Sequence, residues 1–431
     1  MKKLLNIRLI PLTVIIGFNC FTLFIFYTAP IRWATDNLGV FLFFSLLCQL
    51  MFIMGYLFGY KGSFKRRANG YVLNTFSKKK LSFIFGFYTL TFLIKYAYFL
   101  QVKIFDLKGM FEILMVGVMN PQLGYAMSLE EKTRYVSWTI YFLISIIDLV
   151  FFIIGFIKWK QMSVFMKLLF VSFVLLEIFY WMGRGTNFGV ISLITTLAFA
   201  LMHKLKFVKL NFTKVIGFYM ALVFLLFISI LIFSYNMYNR AGSTQIDFQY
   251  FNLGLSKVNE NSEIFKVLPQ TLQQSYLYVV SYLAQGYYHT ALAFDLDFKS
   301  TFLLGNNPSL IALAKVVGID VWERTYMYRL ASKGVDPLMR WHSAYLWYAS
   351  DISFYGVPFV LGFIGYFFGF SWGLTLKSND FLSKVVFIIL GNMLLFMFAN
   401  NSYLSSVFYS FMVILPLWYI TRVRGIKLVA K

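Results

Sequence analysis

Charged residues are scarce in this chain of 431 residues, since Asp, Glu, Lys and Arg make up 13% of it. A typical soluble protein carries about 25%. Hydrophobic residues reach 60%, and a soluble globule needs more wettable surface than the remainder can supply. A soluble enzyme and a disordered chain are therefore both excluded. The formal net charge of +22 does not indicate a nucleic-acid binder, because basic footprints of that kind lie on soluble domains.

Motifs for metal, nucleotide and thiol chemistry are also lacking. No HExxH, paired CxxC, Walker A loop or nucleophile elbow occurs, so metal hydrolysis and ATP coupling have no support and we expect no cofactor and no metal. The two cysteines, Cys20 and Cys48, fall inside apolar runs and are interpreted as small core residues. The triplet Asp295-Leu296-Asp297 has the shape of a metal–nucleotide motif, but a single triplet is weak and we interpret it as local solvation.

Long apolar runs are what the sequence has in abundance. A membrane-spanning helix needs about 20 mostly apolar residues. Candidate spans are 7–28, 38–60, 81–101, 135–157, 163–182, 186–203, 213–235, 352–376, 381–399 and 402–421. We therefore predict an all-α polytopic integral membrane protein with about ten transmembrane helices, the first of them an uncleaved anchor rather than a signal peptide.

The basic residues assign an orientation to these spans. With the N-terminus inside, the inside segments carry the whole net charge of +22, with Asp380 as their only acid, and the outside segments are nearly balanced. Basic loops prefer the cytoplasmic side, so both termini are predicted to lie inside. The chain then divides into helices 1–7 over 1–235, a large partly helical extracytoplasmic loop over 236–351, and helices 8–10 over 352–431.

One segment of the large loop is ambiguous. Thr271–Ala293 is rich in Tyr and moderately apolar, so it resembles an eleventh span. We favour an amphipathic helix at the membrane interface, because Tyr prefers that depth and Gln274, Gln285 and His289 do not suit hydrocarbon. An additional span would also place the basic C-terminus on the wrong side.

Three charged residues lie within the predicted spans. Lys95 and Glu177 lie at matching depths, each about 21 Å from the inner end of its helix, and this favours a structural ion pair. Asp148 lies nearer the inside and matches neither. A proton relay requires a series of acids through the membrane, which is missing, and Glu177 has the alternative role of positioning Arg184.

Arg184 is the first candidate site residue. It stands in Gly183-Arg184-Gly185, between two spans, and the next helix is expected near Thr186 with its free amides facing the same point. Flanking glycines permit close approach of a ligand to the backbone. This pattern favours an anion site at the outer boundary, and an arginine that merely anchors the hairpin is the alternative.

The second candidate constellation precedes the span at 352–376. It contains Arg340, Trp341, His342 and Tyr345, followed by Asp351. An imidazole can act as a general base, and Asp351 is expected to orient it. A belt of amphipathic residues at a helix entry is the alternative interpretation.

Further outer arginines are expected to bind an anionic group. They are Arg240, Arg324, Arg329 and Arg340. Aromatic residues of the same loop offer faces to sugars or anchors to the interface, and the sequence does not separate these roles. They are Tyr287, Tyr288, Trp322, Tyr326, Tyr328 and Trp341.

These features together resemble the O-antigen polymerase family of repeat-unit polymerases, which is similar in layout to the O-antigen ligases. The resemblance is carried by the Gly183-Arg184-Gly185 corner and by the block His342-Ser343-Ala344-Tyr345, Asp351 and Gly356, with Ser353 standing where the pattern often has a Gly. It implies an enzyme of the bacterial plasma membrane that acts on undecaprenyl-diphosphate-linked oligosaccharides. A flippase and a chain-length regulator would be its further partners.

The resemblance also implies roles for the candidate residues. Arg184 would bind the diphosphate, with Arg340 or Arg324 as second cation, and His342 would accept the proton of the acceptor hydroxyl.

Three other functions compete with this interpretation. An O-antigen ligase is the nearest rival, since it has the same chemistry with another acceptor. A flippase or transporter is a rival of another class and predicts repeated halves, which the sequence lacks. A membrane acyltransferase would need reactive residues inside, where His203 is the only histidine.

Overall fold

A computed structural model describes residues 7–65, 77–132, 138–205, 212–241, 248–337, 340–378, 380–399 and 412–423. Two compact units divide the chain. Unit 1 comprises the described residues of Met1–Arg67, Gln245–Lys377 and Leu390–Phe408, and unit 2 those of Ala68–Thr244, Ser378–Ile389 and Tyr409–Lys431.

Helices dominate unit 1. They are α1 (Ile10–Thr28), α2 (Leu38–Lys65), α10 (Glu263–Val267), α11 (Gln270–Ala293), α12 (Pro308–Val316), α13 (Tyr326–Arg329) and α14 (Ala344–Ser378). Short 3₁₀ turns cover Phe248–Phe251, Trp322–Arg324 and Leu330–Lys333. Two antiparallel strands, β1 (Ile31–Arg32) and β2 (Lys257–Val258), pair Ile31 with Val258 and tie the end of α1 to the large loop.

Unit 2 is also helical. It contains α3 (Lys78–Leu100), α4 (Leu107–Met119), α5 (Pro121–Lys132), α6 (Trp138–Lys158), α7 (Val164–Gly183), α8 (Phe188–Leu205), α9 (Phe212–Ala241) and α16 (Met412–Arg422). A 3₁₀ turn covers Trp159–Gln161. The division between the units falls within α15 (Phe381–Leu395), at Leu390.

The expectation of an all-α, multi-pass membrane protein is confirmed at this level. Six of the described helices are long and apolar enough to cross a membrane. They are Ile10–Thr28, Leu38–Phe64, Lys78–Tyr98, Val164–Gly183, Thr213–Asn239 and Ala344–Ser378. Three shorter apolar helices, Phe188–Lys204, Phe381–Leu395 and Met412–Arg422, fall within the predicted spans at 186–203, 381–399 and 402–421 or overlap them.

Small residues bring α2 and α14 into backbone contact within unit 1. A Cβ on Gly59 would lie 1.9 Å from the Tyr366 carbonyl oxygen, and one on Gly369 would lie 2.1 Å from that of Tyr56. Only glycine permits this approach. Close packing of this kind drives helix association where the surroundings are apolar, so α2 is a fixed support for the long α14.

The ambiguous segment Thr271–Ala293 forms a helix, but it is not an amphipathic helix lying open at an interface. Its polar residues Gln274, Gln285 and His289 are each at most 4% exposed, and Tyr287 packs against Phe26 of α1. The interpretation from sequence was wrong because its polar face is covered by protein instead of water. Helix α11 is therefore a central element of unit 1.

Candidate functional site

Two histidines meet inside unit 1, one on α11 and one directly before α14. The ring centroids of His289 and His342 are 4.9 Å apart, and both side chains are buried. His289 Nδ1 lies 3.0 Å from the Trp341 carbonyl oxygen. Because a carbonyl oxygen only accepts, Nδ1 carries the proton of the neutral ring and Nε2 keeps its lone pair. The backbone at Trp341 thus fixes the tautomer of His289.

Several polar atoms around this pair make no hydrogen bond to the residues that the structure describes. They are His289 Nε2, Gln285 Oε1 and Trp341 Nε1, together with the ring nitrogen of His342 that does not face the Pro337 carbonyl. Gln285 lies one turn before His289 on α11. More than 90% of buried polar groups in proteins are paired, and exceptions gathered in one place call for a functional explanation. We refer to Gln285, His289, Trp341 and His342 as the histidine cluster.

Burial decides the charge state of the histidine cluster. Desolvation lowers the pKa of His342 to about 3, and the backbone carbonyl of Pro337 opposes this only in part. The pKa of His289 is likewise lowered, first by burial and then by the neighbouring His342 ring. Both rings are therefore uncharged at neutral pH and present lone pairs. Such nitrogens accept hydrogen bonds, for example from a sugar hydroxyl.

The backbone around His342 is held by neighbouring contacts. Ser343 Oγ lies 2.6 Å from Thr290 Oγ1 of α11, and the Ala344 amide donates to the Met397 carbonyl at 2.9 Å. A Cβ on Gly286 would lie 2.9 Å from the Ser343 nitrogen. This close apposition of α11 and residues 342–344 explains why the two imidazoles meet.

Asp351 does not orient His342, contrary to the expectation from sequence. Its carboxylate accepts from the amides of Gly305 at 2.7 Å and Asn306 at 3.1 Å, and from the Thr301 hydroxyl and the Asn306 side chain. All these donors belong to residues 301–306. Asp351 lies about two turns into α14, and its side chain is bound to residues 301–306 instead of His342. Its role in the structure is therefore to hold this loop in position.

A backbone kink follows Asp351. Ser353 has φ 60° and ψ 169° inside α14, a region that only glycine adopts readily. This is the position at which the resembled pattern often has a Gly. The strain is kept because the chain is fixed on both sides of Ser353, by the hydrogen bonds of Asp351 and by the burial of Pro358.

Replacing Ser353 with glycine is expected to raise the free energy of unfolding by about 1 kcal/mol, since glycine relieves the positive φ at some cost in chain entropy. Denaturant titration of the purified protein in detergent measures this change. Ser353→Ala is the matched control and is expected to give no gain, because alanine keeps the Cβ. Equal stability of the glycine and alanine variants would contradict the assigned conformation.

Arg184 lies at the end of α7 in unit 2. Its Nη1 donates to the Tyr180 hydroxyl at 2.6 Å, and the guanidinium carbon lies 5.2 Å from the centroid of the Tyr180 ring and 5.5 Å from that of Trp181. Helix α8 begins at Phe188, two residues beyond the expected start. The aromatic contacts define the direction of the guanidinium.

The glycines beside Arg184 have a different role from the one expected. A Cβ on Gly183 would lie 3.0 Å from the Leu114 carbonyl oxygen of α4, and one on Gly185 would lie 2.3 Å from that of Pro121 at the start of α5. Gly185 also has φ +60°. The close approach is therefore made by α4 and α5. Neither helix was predicted from sequence, because both are short segments within the predicted outer loop.

A buried charge cluster lies next to Arg184 in unit 2. Lys95 Nζ lies 2.7 Å from Asp148 Oδ2 and 2.7 Å from Glu177 Oε1. Trp181 Nε1 donates to Glu177 Oε1 at 2.8 Å. The predicted Lys95–Glu177 pair is present, but Asp148 was wrongly left out of it. Since Trp181 also contacts Arg184, Glu177 helps to position the arginine.

The other candidate arginines mostly hold the backbone of the large loop. Arg324 Nε donates to the Ser300 carbonyl at 2.6 Å, Arg329 Nη1 to that of Asp297, and Arg340 Nη2 to that of Asn252 at 3.4 Å. Arg240 lies in the last turn of α9, and its side chain lies outside the described residues. These three loop contacts favour structural roles over a shared anion site.

The candidate aromatic residues are largely internal. Tyr345 is buried against Phe44 and Tyr287, whereas Trp341 packs on Tyr282 of α11. Tyr282, Gln285 and His289 share one face of α11 at spacings of three and four residues. That spacing was the available sequence signal for the histidine cluster, and only the structure shows that the face is buried.

Comparisons with protein-family models, with curated proteins and with solved structures give no match for this chain. The function must therefore be inferred from the residues of the chain itself.

Proposed function

We propose that this chain polymerises undecaprenyl-diphosphate-linked oligosaccharide repeat units into a surface polysaccharide. The observation that carries the proposal is the buried, uncharged imidazole of His342, which lies beside His289 and has a ring nitrogen with a free lone pair in addition to the one that faces the Pro337 carbonyl. The glycine-type conformation of Ser353 supports the resemblance of its sequence block to the polymerase family.

The proposed setting is the bacterial plasma membrane, with ten spans, both termini inside and the large loop over 236–351 outside. Two observations support it. Helices cover most of the described residues of the ten candidate spans, and the basic residues are concentrated in the segments assigned to the inside. The histidine cluster and Arg184 then belong to extracytoplasmic ends of helices, where lipid-linked glycans are available after export.

The reaction needs no nucleotide, because the donor already carries a diphosphate leaving group. The acceptor hydroxyl attacks C1 of the donor sugar, the C1–O bond to the diphosphate breaks, and the hydroxyl proton passes to His342. The resemblance assigns Arg184 to the charge that develops on the diphosphate. The lowered pKa of His342 keeps its ring uncharged, so that a ring nitrogen has a lone pair for the hydroxyl proton.

The direct test uses purified protein in detergent and one defined lipid-linked repeat unit as the only substrate. We expect a ladder of dimers, trimers and longer glycans. A single-step transfer to lipid A core without a ladder would indicate the ligase reaction instead. No glycan transfer to either acceptor would reject the enzymatic proposal and favour a flippase or transporter.

Replacing His342 with alanine is expected to lower the rate of ladder formation by about 10²–10⁴-fold, the usual contribution of a general base. The matched control is His203→Phe, which keeps an aromatic ring against Phe387 in unit 2 and should leave the ladder intact. Rates are compared at equal amounts of folded protein, measured by size-exclusion chromatography. Full activity of the His342 variant would remove the base assignment without removing the polymerase assignment.

A further inference from the structure

Six exposed apolar side chains lie on α12 and on the residues just before and after it. We call this set the outer apolar patch. It consists of Phe302, Leu303, Leu313, Val316, Val317 and Ile319, whose exposure ranges from 46% to 75%. Ala314 is the buried residue of α12. Several exposed apolar side chains within 18 residues of a segment outside the spans indicate an interaction site.

The chain presents the tip of this patch through an unusual backbone. Phe302 has φ 57° and Leu303 has φ 64°, which is rare for bulky residues. The same loop is bound from the inside by Asp351, which accepts from the amide of Gly305 at 2.7 Å and from the Thr301 hydroxyl. Polar groups of the loop therefore face α14, whereas Phe302 and Leu303 face outward.

Asp351 also determines the height of the outer apolar patch along α14, because it binds the loop that carries Phe302 and Leu303. After the kink, residues 354–378 extend about 37 Å at about 1.5 Å per residue, enough to cross a hydrocarbon core of about 30 Å. Tyr355, Phe359 and Phe363 recur every four residues on this part and are 62–89% exposed, as expected of a face in contact with lipid. Asp351, two residues before the kink, therefore lies at the boundary of the apolar span.

The charges near the outer apolar patch do not indicate a specific anionic or cationic ligand. The segment 299–324 that carries it contains the basic residues Lys299, Lys315 and Arg324 and the acidic residues Asp320 and Glu323. The guanidinium of Arg324 lies 5.0 Å from the centroid of the Phe302 ring, so its charged end borders the apolar tip. Long basic side chains at the rim of an apolar surface are typical of elements that lie in a membrane interface.

We propose that the outer apolar patch inserts into the interfacial layer of the bilayer beside α14. Its occupant is bulk phospholipid, since an apolar surface with nearly balanced charge at the end of a spanning helix needs no specific head group. Helix α12 then has the interfacial role that the sequence had indicated for α11. This inference requires only that α14 spans the membrane and does not rest on the proposed polymerase activity.

The test uses the full chain with Cys20 and Cys48 replaced by serine, reconstituted in zwitterionic phosphatidylcholine vesicles. Single cysteines are introduced as Leu303→Cys or Val316→Cys and labelled with the fluorophore NBD. Asn261→Cys is the control, because Asn261 is a polar, exposed turn residue of the same loop. We expect acyl-chain nitroxide lipids to quench the two patch labels at least twofold more than the control, and aqueous iodide to show the reverse order.

Two outcomes would overturn the proposal. Iodide quenching of Leu303→Cys and Val316→Cys as strong as that of the control would show that the patch faces water. Protection that disappears when the protein is diluted with excess lipid would show that a second copy of the chain covers it. Each introduced cysteine is tested separately, so a single variant that fails to fold leaves the other measurement decisive.

Discussion

Replacing Lys95 with methionine is expected to lower the free energy of unfolding by about 3–5 kcal/mol, the largest stability effect that the structure predicts. The ammonium group of Lys95 contacts two carboxylates, Asp148 at 2.7 Å and Glu177 at 2.7 Å, and both Lys95 and Glu177 are 4% exposed. Methionine fills a similar volume but leaves the buried Glu177 carboxylate and the partly buried Asp148 carboxylate without a cation. The loss therefore comes from uncompensated charge and not from a cavity.

Unfolding of the detergent-solubilised protein by increasing SDS measures this effect. The control in the same unit is Lys108→Met, because Lys108 is exposed and lies 3.7 Å from the exposed Glu112. Exposed pairs contribute about 0–1 kcal/mol, so this variant should stay near the wild type. If the charge explanation is right, the triple variant Lys95→Met, Asp148→Asn, Glu177→Gln regains much of the loss. Equal stability of the two lysine variants would contradict it.

Sequence alone located this cluster only in part. Counting residues from predicted helix ends placed Lys95 and Glu177 at one depth but put Asp148 too far inside. Such counting assumes upright, parallel helices with known ends. A long lysine side chain also reaches acids at different levels. Two partners for one lysine can be recognised only when the packing of α3, α6 and α7 is known.

The spanning helices could be predicted from the length of the apolar runs, because a run of about 20 apolar residues is the length that a helix needs to cross a bilayer. Residues between the runs were harder. Helix α11 has the composition of an interfacial helix, yet α1 and α2 cover it, whereas α12 has exposed apolar residues that gave no distinct signal. Whether a Tyr-rich helix faces protein or lipid depends on its neighbours in space, and local sequence does not encode them.

The candidate site could likewise be predicted from sequence only in part. His342 was recognisable as a reactive type of side chain in an outer segment. Its partner was not, because nine residues separate it from Asp351 and the carboxylate is directed to residues 301–306. His289 comes from α11, and its meeting with His342 depends on the close approach of Gly286 to Ser343. A contact between residues 53 positions apart depends on tertiary packing.

Replacing Arg184 with alanine is expected to lower glycan extension by at least about 10²–10³-fold, the usual cost of removing one donor that stabilises developing charge. This prediction depends on the proposed diphosphate role. The guanidinium is held by the Tyr180 hydroxyl at 2.6 Å and by the rings of Tyr180 and Trp181. Arg184→Lys keeps the charge but loses the planar fork, so we expect an intermediate rate.

The ladder assay with one lipid-linked repeat unit measures these rates, and SDS unfolding of the same preparations separates activity from stability. The control is Arg32→Ala, which removes an exposed outer arginine that donates to Asn259 at 3.2 Å and should leave the ladder unchanged.

The variant Glu177→Gln is a second test, of how Arg184 is positioned. Glutamine still accepts from Trp181 Nε1, so Arg184 should keep its orientation and most of its activity. A normal ladder from Arg184→Ala would remove the diphosphate assignment, whereas equal losses from Arg184→Ala and Arg32→Ala would show that only the total outer charge matters.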